Sequence, residues 1–215
     1  GIEGTSVEIA ISRREEKKTI NVKRGQIQIS TVDRYYVDEN KTGYLHLIQF
    51  STRSREEVSK ALLDMQNLGM KNLIFDLRDN SGGLLSSAIE VASFFLPNEQ
   101  LVVELKGREM DEFRSYRTKS VSPRIKVPMV VLINEASASA SEIVAGALQD
   151  HQRALVMGTR TFGKGSVQTI LQLTSDKAIK LTTALYFTPN GRSIQAEGII
   201  PDLWVDRSTV TKLKS

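Results

Sequence analysis

The sequence predicts an α/β (α+β) fold, a mixed sheet with crossover helices, preceded by small β elements at the amino terminus. Three observations carry this expectation. The hydrophobic period switches from two to about 3.6 near residue 54. Through the middle of the chain, apolar β-branched runs alternate with amphipathic stretches, the order that parallel strands with crossover helices produce. After Gln168 the pattern returns to short alternating runs separated by turns. With 215 residues there is room for one sizeable core, or for one core and a small appendage.

Taken in order, Val7, Ile9 and Ile11 alternate with polar residues, a charged turn spans Arg13–Lys18, and Ile20 and Val22 resume the alternation, which predicts a hairpin. Strands are expected at Ile27–Val32 and Tyr44–Phe50, with a polar loop at Asp38–Gly43. Ser54 and Glu57 form a Ser-x-x-Glu capping pattern, and Val58, Leu62, Met65 and Leu68 then follow helical spacing until Gly69. Asn72–Leu77 reads as an apolar strand interrupted only by Asp76. It runs into Arg78-Asp79-Asn80-Ser81-Gly82-Gly83, and a helix over Leu85–Leu96 stops at Pro97. A strand near Leu101–Leu105, a hairpin-like stretch Phe113–Tyr116 and the proline-bounded entry Pro123–Pro128 lead to the strand Met129–Ile133. Alternating serine and alanine make a turn into the amphipathic stretch Glu142–Leu148. A strand over Ala154–Met157 precedes the glycine-rich loop Gly158–Gly165. Strands Thr169–Leu173 and Ile179–Phe187, joined at Ser175-Asp176, lead to a turn-rich tail ending near Trp204.

Composition narrows the chemistry. The formal charge of +4 comes from scattered basic residues with no dense Lys/Arg face, which argues against nucleic acid as partner. No run of about 18 apolar residues is present, so no membrane span is expected. The chain opens in mid-pattern at Gly1, which predicts a fragment whose targeting signal lies outside it. Zero cysteines exclude disulfides, thiolate zinc sites and cysteine nucleophiles. The two histidines, His46 and His151, lack the spacing of a metal site, and Gln149–Arg153 around His151 reads as a polar helix end rather than part of a Ser-His-Asp triad.

The strand-turn-helix junction at residues 129–148 can hold a serine hydroxyl at a helix N-terminus, where unpaired N–H groups favour developing negative charge. Ser137, Ser139 and Ser141 are the candidates, and one of them is expected to cap the helix. A serine needs a base, and a desolvated lysine can serve. Lys164 sits between Gly163 and Gly165, with apolar Phe162 and Val167 nearby. A solvated loop lysine is the competing reading. Gln168, four residues on, is placed to orient the amine if that segment is a strand with both side chains on one face. Oxyanion donors are expected from the N–H after the nucleophile and from the Gly82-Gly83 pair, which also reads as an ordinary turn. Residues 158–164 match the phosphate-loop pattern G-x-x-x-x-G-K. However, Gly165 stands where the metal-binding hydroxyl is required, and a β-branched run follows instead of a helix.

Three blocks together resemble the carboxyl-terminal processing, or tail-specific, proteases, a Ser-Lys peptidase family: Asp76-Leu77-Arg78-Asp79-Asn80-Ser81-Gly82-Gly83, Ser137-Ala138-Ser139-Ala140-Ser141-Glu142, and Thr161-Phe162-Gly163-Lys164-Gly165-Ser166-Val167-Gln168. A fourth, from Lys180-Leu181-Thr182-Thr183 to Gln195, resembles the strand and turn that follow in that family. The resemblance implies a crotonase/Clp-like core at 25–215 and, at 1–24, a remnant of a PDZ domain, which normally captures a substrate's C-terminus by strand addition. It implies Ser139 as nucleophile, Lys164 as base, Gln168 as the amine-orienting residue, and Ala140 with Gly82 or Gly83 as oxyanion donors. Neutral Lys164 would take the Ser139 proton, and an acyl-enzyme would form and be hydrolysed. No cofactor or metal is implied. The implied partners are protein or peptide substrates with apolar C-termini, with room for a homo-oligomer, and the implied location is extracytoplasmic, in the bacterial periplasm or cell envelope. Two alternatives stay open: a core latent without its PDZ domain, and a non-catalytic binding module on the same fold.

Overall fold

The structure, a computed structural model, describes residues 1–25, 29–108 and 113–206 and divides into two compact units, Gly1–Ser30 and Thr31–Ser215. In the first unit, β1 (Ser6–Arg13) and β2 (Glu16–Lys23) pair antiparallel from Ser6↔Lys23 to Arg13↔Glu16. The expected hairpin forms, with a tighter turn of Arg14 and Glu15, both at positive φ. Val7, Ile9, Ile11, Ile20 and Val22 share one of its faces, as the period-two pattern requires.

The second unit begins with β3 (Val32–Val37) and β4 (Thr42–Leu47), paired antiparallel. The strand expected at Ile27–Val32 is displaced. Only Val32 of that stretch lies in a strand, Gln26–Gln28 fall outside the described residues, and the alternating Val32–Val37 takes the place beside β4. Helix α1 (Ser54–Asn67) connects β4 to β5 (Asn72–Asp76), its buried Val58, Ala61, Leu62 and Met65 recurring at helical spacing. The expected capping box is not formed. The Ser54 hydroxyl binds within its own turn, to the Ser51 N–H and the Gln49 carbonyl. The Glu57 carboxylate is taken by the amides of Thr31 and Val32 and the Thr31 hydroxyl. A distant loop with three donors outcompetes the local cap.

Helix α2 (Leu85–Ser93) ends a turn sooner than expected, and Phe94–Leu96 continue as buried turn residues. Strands β6 (Leu101–Gly107) and β7 (Arg114–Arg117) pair antiparallel. Strand β8 (Met129–Ile133) then leads through the serine turn to α3 (Ala140–Asp150) and on to β9 (Leu155–Gly158). Strands β10 (Ser166–Gln172) and β11 (Ala178–Phe187) form a long hairpin, and β12 (Leu203–Trp204) closes the described chain.

Six strands make the main sheet in the order β12-β9-β8-β5-β4-β3, parallel throughout except for β3. A second, antiparallel sheet runs β10-β11-β6-β7. The helices pack side by side, α1 on α2 and α2 on α3, and α3 also touches β6 and β9. Leu45, Leu47, Leu73, Phe75, Val131, Ile133 and Val156 from the sheet meet Leu62, Met65, Val91, Val144 and Leu148 from the helices. Each fully buried aliphatic side chain stabilises the fold by about 1.5–3 kcal/mol. Parallel strands bring every β-to-α turn to the carboxyl edge of the main sheet, where such folds place their sites. Among the described residues, no helix is long and apolar enough to cross a membrane.

Candidate active site

Strands β5 and β8 are neighbours, with Asp76 opposite Leu132, so the turns that leave them stand side by side. Main-chain and amide contacts lock the two turns together. Asn134 and Asp79 exchange bonds of 2.8–2.9 Å. The Ala138 N–H donates to the Asn80 carbonyl at 3.0 Å. The Asn80 side chain donates to the Leu47 carbonyl and accepts from the Gly82 N–H.

These contacts sort the three candidate serines. The buried Ser137 hydroxyl donates to the Leu77 carbonyl at 2.8 Å, and the buried Ser141 hydroxyl donates to that of Asn80 at 2.8 Å. Among the described residues, Ser139 has no such carbonyl acceptor and is only partly buried. It is the residue preceding α3, at φ 56° and ψ −112°. That backbone is unfavourable for a side chain with a Cβ and costs on the order of 1–3 kcal/mol, a kind of strain that clusters at functional turns.

Gly82 is what allows the approach. A Cβ built there would lie 2.6 Å from the Ala138 carbonyl, 2.8 Å from Ser139 Cβ and 3.0 Å from the Ala140 nitrogen. Its own N–H is committed to Asn80, so of the two glycines expected to offer a donor, Gly82 does not. Gly83 is exposed, at φ +143°, and its flanking bonds, from Phe50 N–H to the Gly82 carbonyl and from Leu84 N–H to the Phe50 carbonyl, leave its N–H without a main-chain acceptor among the described residues. Ala140, first residue of α3, likewise has no intrahelical partner for its N–H.

The loop from β9 to β10 arrives from the other side. Thr161 is buried and exchanges bonds with Ile199, and the Phe162 N–H donates to the Ser137 carbonyl at 3.0 Å. The fully buried Glu142 of α3, which the sequence reading passed over, ties everything together. One carboxylate oxygen accepts from the Ser139 N–H at 2.7 Å and the Lys164 N–H at 2.9 Å. The other accepts from the Thr161 hydroxyl at 2.6 Å and the Gly163 N–H at 2.7 Å. Because Ser139 and Lys164 share an oxygen, their amide nitrogens are at most about 6 Å apart. An acid in the first turn of a helix with a serine three residues earlier is the sequence signal for the local bond, but nothing local announces the bonds to the later loop.

The side chains on that loop match the competing reading of Lys164. Lys164 is exposed, as a solvated loop lysine is, and the apolar Phe162 nearby is 67% exposed and turned to solvent. Gln168 is also exposed, and a bulge between Val167 and Gln168 breaks the alternation that was to align it with Lys164. No direct hydrogen bond joins Lys164 to Ser139 or to Gln168 among the described residues. After Lys164 the chain enters β10, not a helix, so it lacks the phosphate-loop architecture. His151 caps the end of α3 and bonds the Leu101 carbonyl at 2.7 Å, away from the serine turn.

Beneath the turn, buried Asp76 accepts from the Tyr44 hydroxyl at 2.6 Å and from Arg78 through two guanidinium nitrogens. Burial alone pushes the Asp76 carboxyl up, but the bonds from Arg78 and Tyr44 outweigh it and hold it below its ordinary range. The Tyr44 phenol is pushed up to about 12, by burial first and by its bond to Asp76 second. The Arg78 guanidinium is raised, chiefly by its bond to Asp76.

Fold and junction together place the chain among α+β proteins that present a strained serine at a strand-to-helix turn over the carboxyl edge of a parallel sheet. The chain belongs to peptidase family S41, whose family model matches residues 41–205. It is 44% identical over 220 residues to a carboxy-terminal-processing protease of Bartonella bacilliformis, covering 100% of this chain and 50% of that protein. Identity to the carboxyl-terminal-processing protease of a Picosynechococcus species is 37% over 206 residues, covering 94% of this chain and 49% of that protein. The chain thus spans about half the length of these relatives. Among solved structures, a photosystem II D1 C-terminal processing protease aligns with a TM-score of 0.75 and 29% identity, over 96% of this chain and 57% of that one.

Proposed function

We propose that this chain is the catalytic part of a serine endopeptidase that cleaves protein substrates near their C-termini, with Ser139 as nucleophile and Lys164 as its base. The observation that carries the reading is the shared Glu142 carboxylate, which fixes the backbones of both residues around one oxygen while the two neighbouring serines are tied to carbonyls. The lysine stem is long and flexible enough to bring its amine to the Ser139 hydroxyl. The amine accepts the hydroxyl proton as the serine attacks the scissile carbonyl, and the N–H groups of Ala140 and Gly83 stabilise the oxyanion. Protonated Lys164 then gives its proton to the leaving amine, and the freed base activates the water that hydrolyses the acyl-enzyme. Gln168 orients the amine. The hairpin at 1–24 is read as the end of a PDZ domain, and the location as extracytoplasmic.

One observation favours a second reading of the same enzyme. A neutral lysine needs a desolvated amine, and Lys164 is exposed, so the core is latent until substrate or another segment covers it. The exposed apolar side chains of Leu84, beside Gly83, and Phe162, beside Lys164, are suited to being covered in this way.

The test is cleavage of an unstructured protein such as casein, with products mapped by mass spectrometry. Ser139→Ala and Lys164→Ala should each lower turnover by about 10³-fold or more while the fold persists. Lys164→Arg should fail equally, since a guanidinium does not release its proton near neutral pH. Full activity in either alanine variant would remove the dyad assignment.

A further inference from the structure

The two glycines that flank Lys164 face one and the same turn, residues 194–198. A Cβ on Gly165 would lie 2.2 Å from the Gln195 nitrogen, and one on Gly163 would lie 3.1 Å from the Ala196 carbonyl carbon. The turn is closed by the Gly198 N–H, which donates to the Ile194 carbonyl at 2.9 Å, and it holds Ala196 at φ 63°. Buried Ile194 and Ile199 anchor its two ends. Glycine on both sides of the lysine thus lets a second segment lie directly against the lysine's backbone. That segment carries Gln195, a residue the dyad chemistry does not use.

The contacts hold the lysine from both sides. The peptide unit joining Gly163 to Lys164 is held at each end: its N–H donates to Glu142 at 2.9 Å, and its carbonyl accepts from the Ala196 N–H at 2.9 Å. Peptide units are planar, so with this one fixed the Lys164 side chain can still swing about its own N–Cα bond. Holding the next unit as well stops the swing. That unit, joining Lys164 to Gly165, is held through its N–H, which donates to the Gln195 side-chain oxygen at 3.1 Å. Its carbonyl has no partner among the described residues. Farther along, the Gly165 carbonyl accepts from the Tyr186 N–H at 2.7 Å, but a glycine backbone between the two units transmits little of that restraint. An extended lysine stem places its amine about 6 Å from the backbone, so a swing of about 30° moves the amine by up to about 3 Å.

We propose that Gln195 is a positioning residue for Lys164, its carboxamide holding the Gly165 N–H so that the lysine amine stays aimed at the Ser139 hydroxyl. This rests on the dyad reading above and adds to it a residue from the turn that follows β11. Glu142 and Gln195 then divide the task, one fixing the peptide unit before the lysine and the other the unit after it.

The test compares Gln195→Met, which keeps the length and removes the acceptor, with Gln195→Glu, which keeps an acceptor oxygen. Kinetics are measured on a peptide whose cleaved bond has been mapped, on the plateau of the pH profile. Gln195→Met should lower kcat about fivefold, the effect of one exposed hydrogen bond, with KM and melting temperature unchanged. Gln195→Glu should keep kcat within about twofold of wild type. Wild-type kcat in the methionine variant, a loss confined to KM, a loss matched by lowered melting, or a glutamate variant as impaired as the methionine one would overturn the proposal. Backbone ¹⁵N relaxation in the Ser139→Ala background reads the same hold without turnover. The Gly165 amide order parameter should fall from about 0.85 to below about 0.6 with methionine at 195 and stay high with glutamate. Should no Ser139-dependent cleavage occur, the peptidase reading itself fails. The relaxation measurement then decides the positioning alone: order lost with methionine and kept with glutamate supports it, and equal order in all three chains refutes it.

Discussion

The two halves of the candidate site are built in opposite ways. The Ser139 half is determined by its surroundings: Gly82 is wedged against it, Ser137, Ser141, Asn80 and Asn134 bind main chain from three segments, and the serine is held at a φ it would not choose. The Lys164 half is fixed only through its backbone, with the amine, Gln168 and Phe162 all facing solvent. Under the proposed dyad, a nucleophile at Ser139 must meet a carbonyl within a few tenths of an ångström, a need that a preset turn suits. A lysine base depends on its environment more than on its exact position, so under the same proposal the exposed Lys164 would gain that environment only on binding.

Glu142 is the one group common to both halves, and removing its charge is the strongest way to break the comparison. Glu142→Gln keeps the size but replaces one acceptor oxygen with an NH₂ that faces donors, either the two amides of Ser139 and Lys164 or the Thr161 and Gly163 pair. We expect destabilisation of about 2–4 kcal/mol and a loss of turnover of about 10²-fold or more, since a misplacement of 1 Å has that effect. Thermal denaturation and casein cleavage measure the two. A variant with unchanged melting and turnover would show that the halves are positioned independently.

The second test acts on the rigid half alone. Gly82→Ala puts a Cβ 2.6 Å from the Ala138 carbonyl and 2.8 Å from Ser139 Cβ, at φ +101°, so either the turn or the serine must shift. The expected result is a drop of about tenfold to a hundredfold in kcat, with about 1–3 kcal/mol of lost stability. Folding with normal kcat would mean the Ser139 turn tolerates displacement and is not preset. Gly83→Ala, by contrast, would meet the Phe50 carbonyl at 1.9 Å and disturb the strand bridge itself, so it is the less informative substitution.

Most of the architecture was readable because periodicity reports burial: α1 shows Val58, Leu62 and Met65 on one face, and β8 falls where Met129–Ile133 was expected. Expectations failed where a distant segment competed with a local rule. Ser54 and Glu57 satisfy a capping pattern, yet Glu57 serves Thr31 and Val32, and no local motif reveals that competition. The same holds at the site. Ser139, Lys164 and the paired glycines were visible as types in a pattern, but Glu142 was not, because its importance lies in donors 19 to 22 residues later. Which glycine keeps a free N–H depended on the Asn80 side chain, and the exposure of Lys164 on how the loop leaves β9.

The mildest test reaches the support beneath the rigid half, the Tyr44–Asp76–Arg78 group. The Tyr44 phenol ionises near 10.0 when free and at about 12 in the fold, so above pH 10 the unfolded chain loses a proton that the folded chain keeps. Its contribution is complete below pH 10 and is lost as pH rises through about 12. Asp76 has the opposite sign: its carboxyl is lowered, so its contribution is present above about 3.8 and is lost as pH falls through the lower folded value. Tyr44→Phe should therefore flatten the alkaline decline in denaturant stability between pH 10 and 12. By taking one donor from Asp76, it should also move the acid decline to higher pH. Buried Tyr186 is raised too, so some alkaline decline will remain, and the difference between wild type and variant isolates Tyr44. If that difference is absent at both ends while turnover also stays normal, the Tyr44 bond contributes nothing to holding the turn, and the rigidity of the Ser139 half comes from the contacts of Asn80, Asn134 and Gly82 alone.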